Sequence, residues 1–261
     1  LVLALALTPS VIGSRRVGIL LVVSAEVALV GTLWMIAAQA NLIGDSFLAW
    51  GSVADTQSGQ WWIARLVVIA LFCVLIPLRS RFAVRGGLAV VAALALGVVG
   101  VVAAGGHGIA GDSIVVGLVA TLVHLAAMSI WLGGLAVVLV APPRGEFWDT
   151  VIRFSPWALG SVVALAVTGG INAWRQLGTI SGITESSYGR WLVIKLVLVV
   201  LVVGVAAFSR RMAHTRGDDA SGLVRRSVGF EIAGIVLILG ATAGLVNSPP
   251  PVAVPGIVSV S

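Results

Sequence analysis

The chain has 261 residues, 59% of them hydrophobic and 10% charged, against roughly 25% charged in an ordinary soluble domain. With a mean hydropathy of +1.12, its outer surface must be covered by lipid, which excludes a soluble globular protein. The formal charge of +6 comes from 16 Lys and Arg scattered between apolar runs; they read as topology signals, not as the phosphate-binding patch that a pI near 11.2 would suggest.

In chain order, residues 1–9 are apolar with no basic stretch before them, so they are expected to be the end of a truncated hydrophobic helix rather than a signal peptide. A spanning helix needs about 20 apolar residues to cross roughly 30 Å of hydrocarbon. Seven runs approach that length, at 17–40, 61–78, 86–104, 113–141, 155–174, 190–209 and 227–247. Their length fits helices rather than barrel strands. They predict an all-α, polytopic transmembrane bundle of seven complete spans plus the truncated one, a single domain over 1–261 whose residues 248–261 form an external tail. Gly240 and Gly244 make a G-x-x-x-G pair suited to close helix contact. The single cysteine, Cys73, lies inside an apolar run and permits no intramolecular disulfide.

The loops sort by charge. Arg15 and Arg16, then Arg79, Arg81 and Arg85, then Arg144 and Arg153, then Arg210, Arg211, Arg216, Arg225 and Arg226 mark alternate connections. The opposite connections hold only Arg175 and Arg190, while Arg65 and Lys195 fall within the runs. By the positive-inside rule the first set is cytoplasmic and the second, with the C-terminus, external.

Ionisable groups inside a membrane are costly and few, so each is a functional candidate. His124 lies about eleven residues into its run, near mid-bilayer. Gly117, Thr121, His124, Met128, Trp131 and Leu135 recur at spacings of three and four, which is one helical stripe. Imidazole and thioether at i and i+4 suit copper, the thioether favouring Cu(I), and neither suits Mg²⁺ or Ca²⁺. From spacing alone the pair reads more readily as an interhelical hydrogen bond beside a methionine filling the core. His107, among the glycines of GGHGIAG, is either an entry ligand or a solvated residue of an outer turn. Met212 and His214 stand at the opposite surface, as an exit site or a chance pairing in a basic loop. Glu26 is about ten residues into the first run, with Met35 on its far side, and Glu231 is one turn inside the last. Arg65 and Lys195 sit one to two turns from the external boundary, where their stems can snorkel, Lys195 serving either as anchor or in steering. Ser161, Thr168 and Asn172 form a polar stripe that either lines a path or bonds a neighbour. No Walker loop, G-x-S-x-G or H-E-x-x-H occurs, so no enzyme is expected, and His124 alone faces inward at mid-depth, too few for a bis-His haem.

The segment HLAAMSIWLGGL at 124–135, with FSPWAL at 154–159, TGGINAW at 168–174, YGRWLVIKL at 188–196 and TQSGQWWIARL at 56–66, resembles the copper resistance protein D (CopD) family. The resemblance implies an eight-helix protein of the bacterial inner membrane that carries copper inwards, with His124 and Met128 as metal ligands; His107 stands beside them as the candidate entry ligand of the outer loop. Trp131, Gly133 and Gly134 match the family's W-x-G-G element, with Trp131 walling the site and the glycines admitting a neighbouring helix; Asn172, Lys195 and Glu26 are supporting candidates. It also implies an external copper-binding CopC-like protein or domain as partner. A copper-handling assembly factor for a respiratory oxidase, a haem or quinone protein and a structural subunit of a membrane complex are the alternatives.

Overall fold

The structure, a computed structural model, describes residues 12–44, 46, 50–78, 80–81, 87–104, 114–140, 147–179, 181–216, 221–246 and 248. Residues 1–9, His107 and residues 249–261 lie outside them. Seven long helices occupy the seven apolar runs: α1 (Arg15–Gly44), α3 (Gln57–Leu75), α4 (Gly87–Ala104), α5 (Ile114–Val140), α6 (Phe147–Leu177), α8 (Ser187–Arg216) and α9 (Ser221–Val246). Two short helices, α2 (Trp50–Ala54) and α7 (Gly182–Glu185), precede α3 and α8. No strand occurs among the described residues, as expected where backbone groups can find no partner in lipid. Among the described residues, five helices are long and apolar enough to cross a membrane, and shorter apolar helices cover Ala89–Ala104 and Ala233–Val246. The chain is a multi-pass membrane protein.

Burial follows the logic of a lipid-embedded bundle. On α6, Trp157, Leu159, Val163, Val167, Ile171 and Trp174 are exposed, while Thr150, Phe154, Ala158, Ser161 and Thr168 are buried. These outward residues are thus all apolar, while the polar ones turn inward with Phe154 and Ala158, the arrangement a hydrocarbon solvent favours.

Two compact units make up the chain, Leu1–Thr168 and Gly169–Ser261. In the first, α1 packs on α2, α3 and α5, and α4 packs between α3 and α5. In the second, α8 and α9 form the most extensive pairing. Gly234 lies against Val202, and a Cβ on Gly244 would come within 2.5 Å of the Trp191 ring. These contacts run in opposite directions along the two helices, so the pair is antiparallel. The expected G-x-x-x-G face is corrected here: Gly240 meets nothing within 4 Å, and Gly234 with Gly244 are the residues that let α8 approach.

Helix ends differ from the apolar runs. The basic residues Arg210, Arg211 and Arg216 extend α8, and Arg225 and Arg226 lie within α9, because the backbone ladder continues past the hydrocarbon wherever propensity allows. Likewise α6 starts at Phe147, so Arg153 is helical and Pro156 interior. Proline has no N–H to give the carbonyl of Ile152. Asp149 in the first turn favours the earlier start by facing the positive end of the helix dipole.

Candidate functional site

The stripe anticipated on α5 is an inward face: Gly117, Ala120, Ala127, Trp131, Gly134, Leu135 and Val138 are buried, with Thr121, His124 and Met128 half-buried among them. His124 Nδ1 and Thr168 Oγ1 on α6 are 2.9 Å apart. The Thr168 hydroxyl donates to the Ala164 carbonyl at 2.6 Å, so its proton is committed within the helix and its oxygen acts as acceptor. Neutral His124 therefore carries its proton on Nδ1 and donates it to Thr168, which leaves the ring's lone pair on Nε2. A histidine held through one nitrogen by a hydrogen-bond acceptor is the arrangement that orients metal-binding imidazoles.

One turn along α5 from His124, Met128 shares its side of the helix, and Trp131 is 7% exposed one turn further. Gly134 is buried because α6 crosses there: a Cβ on Gly134 would overlap the Phe154 ring, which is itself 2% exposed. Gly133, beside it in sequence, is half-buried. The site is thus a seam between α5 and α6, with Gly134 and Phe154 setting the approach and Thr168 setting the imidazole.

Other candidates fall elsewhere. Glu26 is exposed on α1, and Met35 is 41% exposed; neither belongs to the buried stripe of Val17, Leu21, Ala25, Thr32, Ile36 and Ala40 on that helix. Asn172 and Lys195 are half-buried on α6 and α8. Met212 and His214 lie on the last turns of α8, and Glu231 on α9. Among the described residues no group of three or more His, Cys, Asp or Glu converges on a metal position, so any metal here would rest on few protein ligands. The pairing of Thr168 with His124 was not readable from the sequence. The polar stripe on α6 was its only signal, since the register between two helices is set by their crossing.

Residues 148–245 match the family model for copper resistance protein D, and that segment contains FSPWAL, TGGINAW and YGRWLVIKL. Over that segment the chain is similar to the copper resistance protein D family. It is 29% identical over 209 residues to the copper transport protein CutJ of Bacillus subtilis (strain 168), covering 75% of this chain and 38% of that relative. It is 28% identical over 220 residues to copper resistance protein D of Pseudomonas syringae pv. tomato, covering 76% of this chain and 70% of that relative. The match therefore spans well under half the length of the Bacillus protein. No solved structure matches it.

Proposed function

We propose that this protein belongs to the copper resistance protein D family and carries copper across the bacterial cytoplasmic membrane, inwards, without catalysis or nucleotide hydrolysis. The observation that supports this best is the His124–Thr168 hydrogen bond. It leaves the imidazole lone pair on Nε2, one turn from the Met128 thioether, and both donors are of the type that binds Cu(I). Copper is the cargo in this scheme, received near His107, held by His124 and Met128 at mid-membrane, and released on the arginine-rich side. An external CopC-like protein or domain would deliver it. The arginine-rich connections would be cytoplasmic and the C-terminus external.

Substituting His124 by Ala and measuring both cellular copper uptake and copper bound by the purified protein tests the reading. Loss of both is expected. Uptake and binding equal to the unsubstituted protein would overturn it, and loss of oxidase activity with unaltered copper flux would favour the assembly factor instead.

A further inference from the structure

The region before α3 and the region before α8 are built alike. The sequence TQSGQWWIARL at 56–66 aligns without gaps on SSYGRWLVIKL at 186–196, sharing a hydroxyl residue, Gly three positions on, Trp two further, a basic residue four beyond that, and Leu. The local structures coincide as well. Each stretch follows a short helix, α2 or α7. Thr56 donates to the Val53 carbonyl at 2.7 Å and accepts from Gly59 N–H at 3.0 Å. Ser186 donates to the Gly182 carbonyl at 2.5 Å and accepts from Gly189 N–H at 2.9 Å. A Cβ on Gly59 would strike the Val53 carbonyl, and one on Gly189 the carbonyls of Gly182 and Ile183, so both glycines are required by the same close approach.

The likeness extends outward. Val53 of α2 packs with Ile36 and Ala40 from the end of α1 and with Trp62 of α3; Ile183 of α7 packs with Leu177 from the end of α6 and with Leu192 of α8. Positions 62 and 192 are aligned ones. On the preceding helices, A-L-x-x-T recurs at 28–32 and 164–168, and each threonine is buried and bonds back to its alanine's carbonyl, at 2.7 Å and 2.6 Å.

We infer that the chain contains two copies of one helix–cap–helix module, and that Arg65 and Lys195 are the same functional position in the two copies, each holding the phosphate of a membrane phospholipid. Both are half-buried, and neither makes an ion pair or hydrogen bond among the described residues. Each lies eight residues past the start of its helix, about 12 Å at 1.5 Å per residue, and helical side chains lean towards the N-terminus. A long cationic stem from that depth brings its charge back to the level of the headgroups, past the tryptophan one turn nearer the boundary. Phosphate is the anion a bilayer supplies at that level, and the module keeps a positive charge there while exchanging Arg for Lys. A point charge satisfies that requirement, whereas a bidentate carboxylate partner would tell the two apart.

The test is native mass spectrometry of the intact chain in dodecyl maltoside with added phosphatidylglycerol, against dioleoylglycerol, which has the same tails and no phosphate. The expectation is two more phosphatidylglycerol than dioleoylglycerol molecules retained. Arg65→Gln or Lys195→Gln should each remove one, the double variant both, and Arg65→Lys and Lys195→Arg neither. Unchanged retention in the Gln variants, equal retention of the phosphate-free lipid, or loss in the charge-conserving variants would each overturn the assignment; a co-purifying acidic partner released by either Gln variant would also refute it.

Discussion

Thr168→Val isolates what the α5–α6 seam does for His124. Valine keeps the shape and burial of threonine but removes the oxygen that lies 2.9 Å from His124 Nδ1. The Ala164 carbonyl loses only an auxiliary bond, because it also serves the helix ladder. Side-chain hydrogen bonds between membrane helices average about 0.6 kcal/mol and reach about 1.7, so the fold should lose no more than that. The imidazole, however, loses the acceptor that sets its tautomer and orientation, and removing such a partner lowers metal affinity by roughly 10–100-fold, which is about 1.4–2.8 kcal/mol. Cu(I) affinity of the purified protein, measured by competition with a chromophoric chelator, should fall by that factor, while Thr168→Ser restores it to within about twofold. In a His124→Ala background, Thr168→Val should change copper binding no further. An affinity for Thr168→Val indistinguishable from the parent's, in protein that still unfolds normally, would refute the orienting role.

Met128→Leu conserves volume and removes the soft sulfur; copper affinity should drop while stability in detergent changes by less than about 1.5 kcal/mol. Gly134→Ala places a methyl group in the Phe154 ring and should destabilise the protein by roughly 1–3 kcal/mol, read as a lower unfolding midpoint; Phe154→Leu combined with it should recover part of that loss. Gly59→Ala and Gly189→Ala meet backbone carbonyls instead of a side chain, so each should cost more than Gly134→Ala, and the two should behave alike.

The long helices were legible because a membrane span must be a continuous apolar run, and the runs at 17–40 and 113–141 fall within or nearly coincide with α1 and α5. Their ends were not. Lipid dictates only where apolar residues are needed, and α8 continues through Arg210 and Arg211 to Arg216 once hydrocarbon no longer constrains it. The helices α2 and α7 carry no period, being five and four residues long; each ends where Thr56 or Ser186 bonds the N–H of a glycine at the start of the following helix. The stripe of His124, Met128 and Trp131 could be drawn from spacing alone, since it lies on one helix. Its relation to Thr168 and Phe154 could not, because a crossing depends on which small residue lets two helices touch, and nothing in the spacing says that Gly134 meets the Phe154 ring. Glu26 shows the reverse: its rarity marked it out, yet it lies on the exposed side of α1.

The outward tryptophans of α6 also serve as a ruler. Trp157 and Trp174 are 55% and 66% exposed and stand 17 residues apart on one helix, about 25 Å along its axis, close to the thickness of the hydrocarbon layer. Indole rings settle at the two edges of that layer; a bilayer gripping α6 between these residues would put the turns from Phe147 to Pro156 in the headgroup region. In that placement the carbonyl that Pro156 leaves without a ladder partner would be within reach of water, where a break in the ladder is cheapest. Quenching of these two fluorophores by lipids brominated at known depths would turn that spacing into a measured position of the protein in its membrane.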